Sequence, residues 1–497
     1  MLNELPAYLS RRRRSAARGK ESGTWRSALA AAARALTVSA GAAGTVTLIA
    51  SSPALADQAT LSPVVNAADR VLQFDWPALR IGTGEYEEGP TGVTVFYFPH
   101  RALAAVDVRG GGPGTVNTDY LRLGYDTPEL DAVVFSGGSW YGLESITAVG
   151  TALKDDGIRD GTWTNLALSV GAIIYDLGER RLNEIYPDKR LAQATFRAAQ
   201  PGVFPLGAHG AGRFAKTGGL FGCNAYSGEG GAFRQIGEIK IAAFAVVNAF
   251  GVVARRDGRV AACYGDVKWA KDLRTADLLA AYPASRKASF ALTSSPKDIS
   301  RNTTVSLVVT NQKLNPADLQ RLATHVHSSM GRALQPFATE FDGDVLYAVS
   351  TGELDAANAA SSFSTLDLDV TAAEVMWDAI LASVPEQPAV TQTPALARAT
   401  GKAADLRRYA GEYVFSPLVS VRITAAQNRL FAQATGARAA YAIGKDAPVE
   451  LEPISATDFT VPGRYPLVVS FQQPGRLVMN PGHWEQIGTR KGTRRSD

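Results

Sequence analysis

The chain has very little cysteine and histidine for its length. Cys223 and Cys263 are the only cysteines among 497 residues, which is too few for a scaffold held together by disulfides. They are compatible either with one bridge or with simple burial. The five histidines form no HExxH motif, and His325 and His327 stand two apart on a predicted helix, so they point to different faces. The sequence therefore predicts no protein metal site.

An apolar run long enough to span a membrane is also missing. Residues 1–56 contain a basic cluster at Arg11–Arg14, then a mostly apolar stretch to about Ala50, and end in Ala54-Leu55-Ala56. Ser, Thr and Gly interrupt the stretch and leave fewer than the ~20 apolar residues that a transmembrane helix needs. A membrane anchor is thus the weaker interpretation. The pattern is typical of an export signal cleaved after Ala56, which predicts a periplasmic or extracellular protein with no stable membrane span and leaves the export route open.

An excess of positive charge disappears when that segment is removed. The whole chain has 51 Lys and Arg against 47 Asp and Glu, a formal net charge of +4. Residues 1–56 contain 8 of the Lys and Arg residues and 2 of the Asp and Glu residues. The remaining chain has 43 against 45, a formal net charge of about −2. No basic surplus is left to neutralise phosphates, so no nucleic-acid partner is predicted.

Sequence patterns divide the rest of the chain into a mixed domain and a small β domain. From 57 to 384, β-rich runs alternate with amphipathic patterns, which predicts an α+β domain of sheet and helices. Its main predicted elements are strands at 131–135, 303–309 and 345–349, a hairpin over 239–255, and helices over 316–334 and 372–384. Residues 385–405 are rich in Pro, Ala and Thr and predict a linker. Five short alternating segments within 406–497 predict an antiparallel β domain.

A candidate nucleophile stands at the start of one predicted strand. Thr303 follows Asn302 and lies 39 residues before the first carboxylate of Phe341-Asp342-Gly343-Asp344. A threonine hydroxyl is a poor nucleophile unless a base lies beside it, and cleavage of the bond before Thr303 creates an α-amine with a pKa of about 7.7 to 8. The pattern predicts a chain that makes its own catalyst by cutting itself. Asparagine before a strand is also an ordinary turn residue, so the dipeptide alone does not decide.

Seven motifs occur in an order that resembles one peptidase family. They are Gly110–Thr115, Ser136–Ser139 with Gly142-Leu143, Ile174–Gly178, Lys216–Gly219, Ala245–Asn248, Asn302–Thr304 and Phe341–Asp344. From about Pro77 to Leu354 the chain resembles the P1 (S58) peptidase family, which includes D-aminopeptidase/L-aminopeptidase-esterases, β-peptidyl aminopeptidases and nylon-oligomer hydrolases. Threonine at the cleavage point, where other members use serine, makes the nylon-oligomer hydrolases the closer likeness.

The resemblance implies a fold and a catalytic mechanism. The fold is a four-layer αββα sandwich of the N-terminal-nucleophile type, and the chain is cut between Asn302 and Thr303. Thr303 is then the nucleophile, and the charge of Lys216 holds the threonine amine neutral. Asn248 donates from its side-chain amide to the oxyanion. Without the resemblance, Lys216 is a solvated lysine and Asn248 a turn residue.

The resemblance also assigns the remaining site residues and the partners. Asp342 and Asp344 serve the nucleophile and the lysine, and they share a face if the chain there is extended; the alternative is a plain Asp-Gly turn. Tyr175 is either a contact to substrate or intermediate, or a tyrosine packed at the sheet edge. The implied substrate is a small peptide or amide, the implied assembly is a homo-oligomer, and no cofactor is implied.

Other interpretations stay open at this point. Gly137–Tyr141 nearly matches the G-x-S-x-G elbow, and Ser294–Lys297 matches S-x-x-K, although its proline argues against the required helical turn. Residues from about Leu406 to Gly492 are similar to the β accessory domain that follows serine β-lactamase-like hydrolases. The alternative functions are an acyltransferase like the ornithine acetyltransferases and a catalytically silent envelope binding protein.

Overall fold

The computed structural model describes residues 58–492, apart from positions 123, 125–126, 179 and 224 and the segments 264–271, 283–301, 356–362, 386–405 and 462–466. The chain divides into two compact units, 1–52 and 53–497, and every described residue belongs to the second. The predicted export signal, the motif Ser294–Lys297 and nearly all of the predicted linker lie outside the described residues, so the predicted domain boundaries stay predictions. In the described part, no helix combines the length and apolar character needed to cross a membrane.

Most of the described chain is built around one mixed sheet. The strands of this sheet and the small strands beside it are β1 (Val64–Val65), β2 (Val71–Gln73), β3 (Arg80–Tyr86), β4 (Thr91–Val108), β5 (Thr115–Val116), β6 (Glu129–Ser136), β7 (Ser169–Ile173), β8 (Gln200–Pro201), β9 (Val203–Pro205), β10 (Lys216–Thr217), β11 (Ala225–Tyr226), β12 (Glu229–Ile236), β13 (Ile239–Asn248), β14 (Val252–Val253), β15 (Thr303–Gln312), β16 (Leu334–Gln335) and β17 (Val345–Leu354). The helices are α1 (Leu143–Asp155), α2 (Lys189–Arg197), α3 (Thr275–Ala281), α4 (Pro316–Ser329) and α5 (Thr365–Ala382). The main path of the sheet is β12-β13-β15-β17-β4-β6-β7-β5.

The long strand β4 joins two halves of this sheet. Its later residues pair with β17, and its earlier residues pair with β3 and β6. One core, which includes Phe96, Phe135 and Phe244, contains inward-facing side chains of both halves. A second core lies between one half and α4 and α5, and a third between the other half and α1 and α2. The layers are helices, sheet, sheet and helices, which confirms the predicted α+β fold of the αββα type.

Capping explains where the two helices after the candidate nucleophile begin. The Asn315 side chain accepts the backbone N–H of Asp318, and Pro316 occupies the first turn, so α4 begins where the sequence predicts. In contrast, α5 begins at Thr365, seven residues before the predicted start at 372. Ser364 forms a capping box with Asp367 there. The prediction is wrong at this end because the local cap, rather than the apolar stripe, starts the helix.

The C-terminal part of the described chain forms a closed antiparallel barrel. Its strands are β18 (Gly411–Val414), β19 (Ser420–Ala426), β20 (Arg429–Ala434), β21 (Val449–Pro453), β22 (Asp458–Thr460), β23 (Val468–Ser470), β24 (Arg476–Met479) and β25 (Gln486–Arg490). Its interior is filled by its own apolar side chains and by Leu182, which lies in the chain segment before α2. The barrel confirms the predicted β domain. The sequence did not indicate β22, β24 and β25, which are three to five residues long and too short for a clear alternation.

Candidate active site

Thr303 lies at the beginning of the central strand β15, and its side chain is completely buried. In the antiparallel register of β13 and β15 it stands directly opposite Asn248, the last residue of β13. Directly opposed residues on one face of a sheet lie within side-chain reach. The preceding residue, Asn302, forms an isolated parallel bridge with Asp342. The sheet thus brings three of the sequence motifs to one place.

The peptide group between Asn302 and Thr303 is held by two donors. The Thr303 hydroxyl donates to the carbonyl oxygen of Asn302, so it lies against the carbonyl that a self-cleavage reaction attacks. The backbone N–H of Gly343 donates to the same oxygen at 2.9 Å. Attack on this carbonyl places negative charge on that oxygen, and a backbone donor is therefore already in position to stabilise it.

The glycines of Gly110–Thr115 allow another loop to approach the site closely. The N–H of Gly112 donates to Asp342 O at 2.9 Å, and the N–H of Gly110 donates to Asp344 O at 3.2 Å. A Cβ at Gly110 would lie 2.1 Å from the backbone nitrogen of Asp344. The motif therefore positions the Asp342–Asp344 loop by backbone contact, which a side chain would prevent.

Asp344 is buried and is oriented by two backbone donors. Its Oδ1 accepts the N–H of Thr304 at 2.6 Å, and its Oδ2 accepts the N–H of Ala338 at 3.0 Å. Burial raises the pKa of the Asp344 carboxyl well above its usual range, and the charge of Asp342 raises it further. Asp344 therefore lies next to the nucleophile strand, in a setting that favours its protonated form.

Asp342 is held by a different pair of neighbours. Its Oδ1 accepts the N–H of Phe250 at 3.1 Å, and its Oδ2 accepts the hydroxyl of Thr339 at 2.6 Å. Burial raises the pKa of this carboxyl as well. The two carboxylates lie close enough to influence each other, and the pair is therefore expected to retain a proton above the ordinary range of an aspartate.

The side chain of Asn248 connects two other predicted site residues. Its Oδ1 accepts the backbone N–H of Lys216 at 3.1 Å, and its Nδ2 donates to the carbonyl oxygen of Tyr175 at 3.0 Å. An amide nitrogen carries two hydrogens. One is used by Tyr175, and the other is available for the face that Asn248 shares with Thr303.

Lys216 is buried in an aromatic environment. Its Nζ donates to the hydroxyl of Tyr441 and lies 4.4 Å from the centre of that ring. The same Nζ lies 4.8 Å from the ring centre of Tyr226 and 5.6 Å from that of Phe214. Burial lowers the pKa of Lys216 well below its usual range, and the nearby charge of Arg180 lowers it further. Aromatic faces partly compensate the loss of water around the cation.

This environment differs from the one implied for Lys216 by the resemblance. Within the described residues, no carboxylate lies at ion-pair distance from its Nζ, so Asp342 and Asp344 do not pair with it in this structure. The lowered pKa of Lys216 favours its neutral amine. The mechanism that the resemblance implies instead uses the positive charge of Lys216. The physical reason is that burial and a neighbouring guanidinium both oppose a second positive charge.

Tyr175 contacts the site residue Asn248 through its backbone, and its ring packs against a residue nearer the surface. Its carbonyl oxygen accepts the Asn248 amide and also the Arg180 guanidinium at 3.1 Å. Its ring packs edge-on against Trp140, with ring centres 5.5 Å apart, and Trp140 itself is half exposed. The tyrosine thus lies between the buried site and the surface.

The serine of the elbow-like motif has a structural contact. Ser139 Oγ accepts the backbone N–H of Leu177 at 3.2 Å. The neighbouring Gly138 N–H donates to Asp176 at 2.7 Å, and Asp176 forms a fully buried ion pair with Arg181. These bonds fasten the Ser136–Ser139 motif to the Ile174–Gly178 motif.

Cys223 and Cys263 form a disulfide, which answers a question that the sequence leaves open. The bridge lies beside the Lys216–Gly219 motif, since a Cβ at Gly218 would lie 2.5 Å from the Cβ of Cys223. It therefore supports the loop that follows Lys216.

Asp69, His209 and His483 form a group with metal-ligand chemistry, with donor atoms within 4.8 Å of one another. His209 Nδ1 lies 3.1 Å from Glu85, and His483 Nε2 lies 2.5 Å from Asp69. The guanidinium of Arg213 lies 2.6 Å from Glu85 and 3.4 Å from His483 Nδ1. A fixed cation beside the group opposes a metal ion, and the absence of a metal site stays a prediction.

Two contributors to the site have little sequence signal. Gly343 contributes through its backbone N–H, and the only hint of its role is that glycine separates two aspartates. Tyr441 belongs to the C-terminal barrel and to none of the seven motifs. Contacts between distant segments such as Lys216 and Tyr441 depend on tertiary packing, which local patterns do not report.

The αββα layers, with a buried threonine at the start of a central strand, agree with the fold of the N-terminal-nucleophile hydrolases that the sequence predicts. The model of peptidase family S58 matches residues 73–395, and the chain belongs to this family. It is therefore a hydrolase of peptide or other linear amide bonds, as the sequence predicts. The match supports neither the acyltransferase nor the silent binding protein.

Individual relatives agree with this assignment. A 6-aminohexanoate-oligomer endohydrolase of Paenarthrobacter ureafaciens is 39% identical over 333 residues, which cover 65% of this chain and 89% of that protein. An uncharacterized aminopeptidase of Mycobacterium bovis is 33% identical over 268 residues, which cover 52% of this chain and 73% of that protein. Among solved structures, a Burkholderia sp. beta-aminopeptidase aligns with a TM-score of 0.43 and 19% identity over 64% of this chain and 88% of its own.

Proposed function

We propose that this chain matures by cutting itself between Asn302 and Thr303, and that Thr303 then hydrolyses linear oligoamides. The observation that carries the proposal is the position of the Thr303 hydroxyl against the Asn302 carbonyl, whose oxygen also accepts the Gly343 N–H. A nucleophile and an oxyanion donor therefore meet at one peptide bond.

Maturation proceeds by an acyl shift. Thr303 Oγ attacks the carbonyl carbon of Asn302, and the Gly343 N–H stabilises the negative charge on the oxygen. The C–N bond breaks, the hydroxyl proton ends on the departing nitrogen, and an ester links Asn302 to Thr303. Water opens the ester, which leaves a carboxylate on Asn302 and a free amine and hydroxyl on Thr303.

The freed amine is the base of the mature enzyme. It accepts the proton of the Thr303 hydroxyl while the oxygen attacks a substrate amide. Asn248 donates its second amide N–H to the oxyanion, and the leaving amine receives the proton. Water then releases the acyl group from Thr303. Lys216 donates its backbone N–H to the Asn248 side chain and orients that amide. Asp344 and Asp342 accept the backbone N–H groups of Thr304 and Phe250 and hold the chain beside the nucleophile. Tyr175 contacts the substrate or the intermediate.

The proposed substrates are linear amides of small amino acids, with 6-aminohexanoate oligomers as the first to test. Support comes from relatives named 6-aminohexanoate-oligomer endohydrolase that are 38–39% identical and from threonine as the nucleophile. Export through residues 1–56 to the periplasm or the exterior, and assembly into a homo-oligomer, belong to the same proposal. They are supported by the basic and apolar pattern of that segment and by the resemblance.

The test uses purified full-length protein. Intact-mass measurement and N-terminal sequencing should show two fragments, the smaller beginning Thr303-Thr304-Val305. An assay with linear 6-aminohexanoate oligomers, with and without an added amine acceptor, should release free acid in both cases. Full activity in an uncut chain would refute self-cleavage, and transfer of the acyl group to the amine alone would refute hydrolysis.

Asn248→Ala should lower turnover more than it slows maturation. The Asn248 amide is assigned to the oxyanion of the substrate, and loss of one such donor typically costs roughly 10²- to 10³-fold in kcat. The oxyanion of self-cleavage instead faces Gly343. The measurement is kcat on an oligoamide beside the rate of precursor loss.

Asn248→Asp is the matched variant, because it keeps the acceptor for the Lys216 N–H and removes the donor. Both variants should lose turnover. Unchanged turnover in both would remove Asn248 from the oxyanion role.

A further inference from the structure

The C-terminal barrel packs directly on elements that carry predicted site residues. Gln486 of β25 accepts the Leu182 N–H at 2.6 Å and donates to the Arg180 carbonyl at 2.8 Å. Leu182 is completely covered and belongs to the apolar core of the barrel. This contact lies just after Tyr175 in the chain, so the barrel fixes the segment that holds the Asn248 amide.

A second contact of the barrel is made with the two-stranded sheet that contains Lys216. Its strands β10 and β11 pair Lys216 with Tyr226. Trp484 of the barrel stacks on the Tyr226 ring, with ring centres 3.7 Å apart and planes 18° apart. The aromatic face that borders the Lys216 amine is therefore backed by a barrel residue.

Tyr441 of the barrel contacts the side chain of Lys216 directly. It stands in a tight turn closed by two backbone bonds between Ala440 and Ile443, of 3.0 and 2.9 Å, and it has a left-handed backbone with φ of 57°. Such a conformation is uncommon for a tyrosine and is retained where surrounding contacts enforce it. Its hydroxyl accepts a bond from Lys216 Nζ, and its ring lies over the same nitrogen.

The barrel residues in these contacts lie outside the region that the family model matches. The family model ends at residue 395, and Tyr441, Trp484 and Gln486 all follow it. The contact to Lys216 is thus a property of this chain that the family assignment does not supply.

We propose that the barrel completes the active site: Tyr441 covers the Lys216 amine and positions this residue beside Asn248. The inference rests on the proposed function. It follows from the burial of Lys216 under Tyr441 and from the barrel contacts on the segment that follows Tyr175.

The test compares Tyr441→Phe and Tyr441→Ala in the full-length protein, with Tyr413→Phe as the matched control. Tyr413 lies in the barrel, and its hydroxyl donates to the Tyr409 carbonyl at 2.9 Å, so its loss also removes one buried hydrogen bond. Tyr441→Ala should lower kcat on the 6-aminohexanoate dimer about tenfold relative to Tyr413→Phe, because Lys216 loses the side chain that positions it. Tyr441→Phe should lower the pH at which Lys216 becomes reactive toward trinitrobenzenesulfonate by on the order of half a unit, because an acceptor for the ammonium form of Lys216 is lost.

A second measurement does not depend on activity. Trinitrobenzenesulfonate labelling followed by peptide mapping should show Lys216 reacting about tenfold faster in Tyr441→Ala than in wild type, as expected when a covering side chain is removed. The exposed Lys154 serves as the internal reference. If Tyr441→Ala fails to melt cooperatively, Tyr441→Leu takes its place.

The outcomes separate the inference from the function on which it rests. A self-cleaved, active wild type whose Tyr441 variants keep its kcat and the pH dependence of Lys216 labelling would overturn the inference alone. Equal labelling of Lys216 in all variants would also overturn it. A wild type that is neither cut nor active would overturn the proposed function, while faster labelling in Tyr441→Ala would still establish the cover over Lys216.

Discussion

Thr303→Ala is expected to remain a single uncut chain with at least roughly 10³-fold lower amidase activity. Without the hydroxyl, no atom is available to attack the Asn302 carbonyl. The amine that serves as the base of the mature enzyme is then never released. One change therefore removes both the nucleophile and its base. The fold should persist, because Thr303 loses one local contact to its own neighbour and keeps its place opposite Asn248.

Thr303→Ser provides the control. Serine keeps the hydroxyl and loses only a methyl group, so this variant should still be cut and should still hydrolyse amides. Denaturing gels and intact mass follow the cleavage, and a thermal melt verifies the fold. A Thr303→Ala protein that still separates into two fragments at this position, or that keeps wild-type turnover, would contradict the proposed mechanism.

Local sequence signals predicted two strands and one helix around the nucleophile correctly. The hairpin predicted over 239–255 is wrong, because β14 pairs with β16 and not with β13. The strand from Thr303 and the strand from Val345 are both present, since both segments are rich in β-branched and apolar residues that suit a buried sheet position. The helix from Pro316 is present because its cap and its apolar stripe agree. Where these two signals disagree, as at the start of α5 with Leu366 and Val370 exposed, the predicted boundary is wrong.

The layered fold and the site residues are predicted by the resemblance to a family and not by local sequence patterns. Periodicity alone gives strands and helices, whereas their order in the αββα sandwich came from the resemblance. The long strand β4, which joins both halves of the sheet, has no alternating pattern at its start because its first eight residues are all buried. The resemblance carried by the seven motifs assigns Thr303, Asn248 and Lys216 to one site, which periodicity does not indicate.

Sequence did not predict the environment of those residues. The low pKa of Lys216 depends on Arg180 and on burial, and its aromatic surroundings depend on Tyr441, which lies 225 residues away. The role of Gly343 is equally invisible, because a backbone N–H is common to almost all residue types. Charge and solvation are set by tertiary packing, so they require the three-dimensional structure.

Gly343→Ala is expected to slow self-cleavage by about 10²-fold, the typical effect of losing one oxyanion donor. An added Cβ would lie 2.8 Å from the Thr303 hydroxyl and 2.8 Å from the carbonyl oxygen of Gly112. Either the hydroxyl or the Gly343 backbone must move away. Both movements weaken the arrangement in which nucleophile and donor meet at the Asn302 carbonyl. Time courses of precursor loss, followed by intact mass, measure the effect.

Gly112→Ala is the matched control, because it adds the same methyl group to the neighbouring loop. A Cβ at Gly112 has its nearest neighbour, the carbonyl oxygen of Asp342, at 3.9 Å, which is an ordinary contact. This variant should therefore mature at nearly the wild-type rate, with a similar thermal midpoint. Equal maturation rates for Gly343→Ala and Gly112→Ala, in two folded proteins, would show that the Gly343 backbone does not stabilise the oxyanion. Slow maturation of Gly343→Ala alone would assign self-cleavage to Gly343 and turnover to Asn248, so that one nucleophile uses two different oxyanion donors.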